Sequence, residues 1–485
     1  MNLAEALDMH ARARPHHPAV ISGDVTLTHA EFAERVRTAA GKLAGRGLGK
    51  GDLVGLCLRD SIDHLVLIYA LARRGIVTLP MDWRWSTPEK ERVAGHFGAT
   101  LVFAEPDAEP IPGIDCKPAS ALDAVAPGSA ADCAVVSEPD LPLLLSISSG
   151  TTGRPKGPRI THAHMLRRFW THWINLRLNS ADRYVSATPL YFGGGRAFAM
   201  SMLFCGGTVI LFPPPFKPED LSAELDRVDA TGTFLVPTQL RRLLELSDDL
   251  KTPFRRLNVL MSSGAPLTAD ERNAIREGLC GQFVEYYGST EGGGISYSAP
   301  EIQKRYPDSV GWPVFAVDIE VVDDEHRSLP AGSVGRLRYR GPGVADGFYL
   351  DDEASADAFR DGWFYPGDLA EINEEGCVFL RGRLKDMIIR GGVNVYPLEI
   401  ETTLTAHPAV SEAAVVGRPS QDLGEDVAAF VILRAAIEPA DLIAWCKERL
   451  APYKVPREIL VVDQFPRNSS GKTLKTDLVA RLDPR

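Results

Sequence analysis

Little in this 485-residue sequence points toward a membrane, a metal cage or a disulfide framework. Its seven cysteines (Cys57, Cys116, Cys133, Cys205, Cys280, Cys377 and Cys446) are scattered, with no CxxC pair and no metal-ligand spacing, so reduced thiols are the simplest reading. No run of about 18 apolar residues occurs, and a membrane span is not expected. The opening segment, MNLAEALDMHARARPHHPAV, lacks a basic start followed by an apolar stretch, so no export signal is read and a cytoplasmic protein is expected. Positive charge is short as well. The chain carries 53 Lys and Arg against 64 Asp and Glu, a net charge of −11, which argues against nucleic acid or an acidic membrane as partner. Any anion it binds needs a local positive site. No internal repeat and no low-complexity tract stands out.

What is present is a globular balance, 45% hydrophobic and 24% charged, in a chain long enough for about three units. Thr28 stands three before Glu31 and predicts a capping box for a helix that stops near Gly45 and Gly47. Leu53–Leu58, Ile76–Leu79 and Thr100–Ala104 read as strands, alternating with helices around Leu65–Ala72 and after the Ser86/Glu89 cap. That alternation argues for α/β layers with mostly parallel strands. Pro106 to Pro139 reads as a loose surface excursion. An all-β piece is expected between about 310 and 382. The last hundred residues read as a small α+β domain, with helices at Pro397–Ala406 and Pro439–Leu450 and strands at Val410–Val416, Val427–Leu433 and Glu458–Val462.

A largely apolar run, Leu141–Ile147, feeds into Ser148-Ser149-Gly150-Thr151-Thr152-Gly153-Arg154-Pro155-Lys156-Gly157. Glycines there let backbone N–H groups turn toward an anion, hydroxyls add donors, and Arg154 and Lys156 add charge, so a polyphosphate is the natural guest. The P-loop GxxxxGK[ST] is the sharper rival. Gly150 stands six before Lys156, but Pro155 and Gly157 flank that lysine and break the match. Gly471-Lys472-Thr473 copies the end of the same motif, with Pro466 where its first glycine belongs.

Further segments follow in order: Ser263-Gly264-Ala265-Pro266-Leu267, Tyr286-Tyr287-Gly288-Ser289-Thr290-Glu291, Trp363 to Asp368 (WFYPGD), Gly382-Arg383-Leu384-Lys385-Asp386 and Pro466 to Lys472 (PRNSSGK). Together with the loop they resemble the adenylate-forming superfamily, in its acyl-CoA synthetase (acid–CoA ligase) branch. The resemblance runs from near the start to the end of the chain. It implies a large domain over 1–383 of layered α/β sheets plus a β-barrel-like part, a hinge at 384–386, and a small mobile α+β domain over 387–485.

The resemblance also assigns roles. Ser148, Ser149, Gly150, Thr151, Thr152, Gly153, Lys156 and Thr290 would hold ATP phosphates, and Glu291 with Thr152 the Mg²⁺, a hard cation suited to oxygen donors. Tyr286 to Ser289 and Gly264 to Pro266 would surround adenine, with Tyr287 stacked on its face. Asp368 would take the ribose hydroxyls beside Arg383. Lys472 would be the catalytic ammonium of adenylation, reaching the site when the hinge at Lys385 turns, and the Gly391-Gly392 loop would approach CoA. Taken singly, Asp368 is a turn former and Tyr287 a core residue; order and company favour the functional reading.

The implied acid pocket draws on Tyr191, Phe192, Gly193, Arg196, Val236, Gly264 and Gly292. Pro189 to Gly195 carries no Asp of the kind that holds an amino group, so an α-amino acid is not expected. Phe192 and Pro366 depart from the His and Thr common in CoA ligases. Arg196 reads as a substrate contact or as a structural residue; His162, His164 and His172 read as surface or core histidines. Expected partners are a small carboxylic acid and CoA, with a homodimer left open. The alternatives are loading of a carrier protein and a non-catalytic adenylate-binding module.

Overall fold

The structure, a computed structural model, describes the chain except residues 127, 129–133, 139, 148–154, 421, 468–472 and 483–485. Two compact units result: Met1–Tyr306 with Val310–Asp318 and Tyr339–Phe364, and Pro307–Ser309 with Ile319–Arg338 and Tyr365–Arg485.

In the first unit the expected alternation yields two sheets. One has nine strands in the order Trp312–Pro313, Gly293–Ser298, Phe283–Ser289, Val259–Ser262, Gly232–Leu235, Arg183–Ser186, Thr208–Leu211, Pro18–Ser22 and Val25–Thr28. Its central pairings are parallel and its two ends are antiparallel. The other orders Asp115–Lys117, Leu101–Ala104, Leu53–Cys57, Val77–Pro80, Pro142–Leu145 and Arg159–Thr161, again mostly parallel. Buried helices lie between them. Ile62–Arg74, capped by Ser61, buries Leu65 through Leu71 without a break, and His29–Gly45 carries the expected box, Thr28 N–H donating to Glu31 Oε2 at 2.8 Å.

Two expectations change. The excursion from Pro106 to Pro139 contributes an edge strand, Asp115–Lys117, and a 3₁₀ turn, Ala119–Ala124, and buries Ile111 and Leu122. A three-residue Asp-Cys-Lys strand is too short to display alternation. Within the β-rich stretch a helix, Asp352–Ala358, interrupts the strands, with the Asp351 side chain accepting from Ala354 N–H.

The second unit pairs Val334 to Arg336 with Leu369 to Glu371, and Asp368–Ile372 with Val378–Arg383, all antiparallel. Residues beyond 387 have cores of their own. Pro397–Thr405 and Pro439–Arg449 pack Ile400, Leu404, Leu442 and Cys446 on strands Val410–Ser420 and Gly424–Leu433, while Phe465 and Leu478 pack with Val416 and Phe430. The hinge expected at 384–386 forms a 3₁₀ turn, Leu384–Asp386, with Leu384 N–H on Gly367 O at 2.9 Å. No helix among the described residues is long and apolar enough to cross a membrane.

Candidate active site

Parallel strands deliver side chains where they end, and the first unit uses this repeatedly. Val259–Ser262 runs into Gly264, Ala265 and Pro266, all exposed, with Gly264 at φ +101° and open space where a Cβ would stand. Gly232–Leu235 ends at Val236, which caps the next helix and donates its N–H to Gln239 Oε1 at 3.0 Å. Pro142–Leu145 leads toward Ser148, Ser149, Gly150, Thr151, Thr152 and Gly153, which lie outside the described residues, as does Lys472. The described end of that loop is tethered: Gly157 has no space for a Cβ against Phe97 (2.9 Å), and its carbonyl accepts from Tyr349 N–H at 2.9 Å. The Lys156 ammonium stands 5.3 Å from the Phe348 ring centre.

Tyr286 through Ser289 end the strand Phe283–Ser289, which turns through Thr290–Gly292 into Gly293–Ser298, with a bulge between Tyr287 and Gly288. Tyr286 is buried and Tyr287 half-buried. The turn is held from both sides. Gly292 N–H donates to Ser289 Oγ at 2.9 Å, and Ser289 Oγ shares a hydrogen bond with the Tyr339 hydroxyl at 2.6 Å. Arg168 donates through Nη1 to Thr290 O at 3.2 Å, through Nη2 to Glu291 O, and through Nε to Gly343 O at 2.7 Å. The Glu291 carboxylate accepts no hydrogen bond and joins no ion pair among the described residues. A half-buried carboxylate left with its lone pairs open suits a hard cation such as Mg²⁺.

The glycines around the expected acid pocket prove to serve packing more than room. A Cβ on Gly194 would meet Phe234 at 2.9 Å, one on Gly195 the Thr188 carbonyl at 2.2 Å, and one on Gly292 the Tyr339 ring at 2.5 Å; at Gly193 the nearest atom is 3.9 Å away. Phe192 is half-buried at the start of helix Gly193–Cys205. The Tyr191 hydroxyl accepts from Arg84, which pairs with buried Asp82 at 2.8 Å and lies 5.5 Å from the Tyr191 ring centre. Arg196 is buried without a carboxylate partner among the described residues. It donates to the carbonyls of Leu190 (3.0 Å) and Tyr191 (2.9 Å) and to Ser146 Oγ (3.2 Å), its Nε has no partner among the described residues, and burial lowers its pKa to about 10. His162, His164 and His172 are core groups: His162 Nδ1 accepts from Leu3 N–H, and His172 stacks on Phe198 at 4.1 Å.

The second unit carries its own set. Asp368 and Arg383 face each other across adjacent strands, and the cross-strand register brings Arg383 Nε within 2.7 Å of the buried Asp368 carboxylate. Lys385 is exposed in the 3₁₀ turn, and partial desolvation holds its pKa below the usual lysine value. Gly391 (φ +57°) and Gly392 (φ +81°) form the two-residue turn of hairpin Ile388–Arg390/Val393–Val395, a geometry that demands positive φ at both positions.

Sequence reasoning missed Arg168, Tyr339, Asp82 and Arg84. Arg168, Tyr339 and Arg84 each reach a partner far along the chain, which no local pattern announces, and Asp82 holds Arg84 from two residues away.

Layered, mostly parallel α/β sheets with loops at their strand ends, followed by a small α+β region, form an α/β architecture of the kind that binds ligands where its strands end. The chain belongs to the AMP-binding enzyme family, whose model matches residues 7–349, while that of the AMP-binding enzyme C-terminal domain matches 399–472. It is 32% identical over 485 residues to a feruloyl-CoA synthase of Amycolatopsis, covering 97% of each chain. It is also 32% identical to the 2-succinylbenzoate–CoA ligase of Bacillus licheniformis, over 97% of this chain and 98% of that one. The o-succinylbenzoate CoA synthetase MenE from Bacillus subtilis, in complex with the acyl-adenylate intermediate OSB-AMP, superposes with a TM-score of 0.91 at 28% identity, covering 99% and 98% of the two chains.

Proposed function

We infer that this chain is an ATP-dependent acid–CoA ligase, and assign its residues accordingly. It is an acyl-CoA synthetase that uses ATP, Mg²⁺ and CoA. In the first half-reaction a substrate carboxylate oxygen attacks the α-phosphorus of ATP, and the bond to pyrophosphate breaks. In the second the CoA thiol attacks the acyl carbon, AMP departs as the leaving group, and the thiol proton is released.

The observation that carries the residue assignment is the braced turn at Thr290–Gly292, which leaves the Glu291 carboxylate open. Glu291, with Thr152, would hold Mg²⁺, which when bound neutralises charge on the phosphate oxygens. Tyr287 offers a ring face to adenine, Asp368 takes ribose hydroxyls while paired to Arg383, and Lys156 and the hydroxyls of the 148–153 loop take phosphates. Lys472 supplies positive charge where it accumulates in the adenylation transition state, the kind of group most rate enhancement rests on. Lys385 serves as the hinge, and Gly391-Gly392 borders the thiol path.

Tyr191, Phe192, Gly193, Val236, Gly264 and Gly292 border the acid. Of the two readings of Arg196, support of the Leu190–Tyr191 segment is the one favoured, since its hydrogen bonds end on that segment's carbonyls and on Ser146. The chain works in the cytoplasm, in keeping with cysteines that form no disulfide among the described residues.

The test is a panel of benzoate-type, dicarboxylic and fatty acids, each offered with ATP and either CoA or a purified acyl carrier protein. Acid-dependent pyrophosphate exchange and a CoA thioester support the reading. Exchange with transfer only to the carrier would move the acceptor, and no exchange with any acid would leave an adenylate-binding module.

A further inference from the structure

Helix His162–Trp170 begins three residues after Arg159 opens the strand that leaves the phosphate-loop segment, and Thr161 caps it by accepting from His164 N–H at 3.0 Å. Arg168, in its last turn, points away from that start to three carbonyls, those of Thr290, Glu291 and Gly343. Its stem runs across two bare α-carbons: a Cβ on Gly293 would meet its Cδ and Cγ at 2.9 Å, and one on Gly343 would meet its Cγ at 2.9 Å. Ala345 N–H adds a second donor to Glu291 O at 2.9 Å. The guanidinium forms no ion pair among the described residues, and the residue is half-buried.

An arginine that spends its donors on neutral carbonyls while carrying a half-buried charge is an expensive way to brace an ordinary turn. Two of those carbonyls belong to Thr290 and Glu291, whose side chains are assigned to phosphate and metal. With Thr290 O and Glu291 O held by Arg168 and Gly292 N–H held by Ser289, the peptides of the turn are fixed and the two side chains are left to a ligand.

We propose that Arg168 is a positioning residue for Mg²⁺-dependent ATP binding: it locks the Thr290–Glu291 peptides so that the Glu291 carboxylate meets the cation preorganised, and it touches neither ATP nor acid itself. The planar fork is essential to this role, because a lysine ammonium presents a point charge where three carbonyls must be reached together. The inference rests on the Glu291 assignment above.

The experiment titrates the full-length protein calorimetrically with ATP in Mg²⁺ and again in EDTA, without acid, for wild type, Arg168→Lys, Arg168→Ala and Glu291→Gln. Supporting groups behind a metal ligand are typically worth roughly 10- to 100-fold in metal affinity. The tightening of ATP binding by Mg²⁺ is therefore expected to shrink by at least roughly tenfold in both Arg168 variants, with the EDTA value unchanged, and methylguanidinium should restore part of it in Arg168→Ala. If Arg168→Ala does not fold, Gly343→Ala, which crowds the arginine stem, should give the same loss. A wild-type Mg²⁺ increment in Arg168→Lys, or equal weakening with and without Mg²⁺, overturns the proposal. A wild-type increment in Glu291→Gln instead overturns the Glu291 assignment, so the two failures are told apart.

Discussion

The turn at Thr290–Gly292 and the turn at Gly391–Gly392 both depend on glycine, and for unlike reasons. Gly292 lacks a Cβ because the Tyr339 ring occupies that space, and the hydroxyl, guanidinium and amide groups around it fix the turn in one arrangement. Gly391 and Gly392 meet little: the nearest atom to a Cβ on Gly391 is Leu423 Cδ2 at 3.3 Å, and Gly392 has open space. Their need is for positive φ in a tight, exposed hairpin. One turn is rigid by packing and the other is constrained by its backbone alone. That contrast suits the tasks assigned to them, since a metal ligand must be preorganised whereas a loop beside a thiol path has to yield.

The strongest test of this contrast separates the half-reactions. Glu291→Gln and Lys472→Ala should each lower acid-dependent pyrophosphate exchange by roughly 10²- to 10³-fold while sparing thioester formation from supplied acyl-adenylate. Parallel loss of both steps would end the division. Next in size, Gly292→Ala forces overpacking against Tyr339, with an expected loss of about 1–3 kcal/mol in urea denaturation and a matching fall in exchange. Gly391→Ala should cost about 1–2 kcal/mol of local strain, slowing thioester formation and leaving exchange intact; an effect on exchange as large as that of Gly292→Ala would erase the distinction.

The smallest expected effect concerns Asp60. Its buried carboxyl accepts Leu190 N–H at 2.9 Å, its second oxygen has no partner among the described residues, and burial pushes its pKa up to about 7. An unfolded aspartate titrates near about 3.9. Between those values the folded chain keeps a proton that the unfolded chain has released, so this group favours folding at low pH and its contribution disappears as pH rises through about 7. Asp60→Asn should flatten that part of the stability–pH curve. An unchanged slope between pH 4 and 7 would mean that the carboxyl is hydrated in solution.

Local rules made much of this molecule legible. The Thr28/Glu31 box, the strands around Leu53, Val77 and Leu101, and the helices at Pro397 and Pro439 follow from caps and periodicity that a short window contains. The candidate site was readable as an ordered set of motifs, whereas the contacts that surround those motifs were not. Asp368 meets Arg383 because a bulge between Leu369 and Ala370 adjusts the register, and Tyr339 meets Ser289 through a fold of the chain between them. The space beside the glycines at 194, 195 and 292 is filled by Phe234, the Thr188 carbonyl and the Tyr339 ring, which only the folded chain reveals.

One consequence of the nine-stranded sheet concerns synthesis rather than chemistry. Strand Pro18–Ser22 pairs with Val25–Thr28 on one side, and on the other with Thr208–Leu211. A nascent chain growing at about 5–20 residues per second leaves that second edge open for roughly ten to forty seconds after the hairpin emerges. The apolar strand must be shielded in the interval, by its own helices or by a chaperone, before the enzyme's largest sheet can close around it.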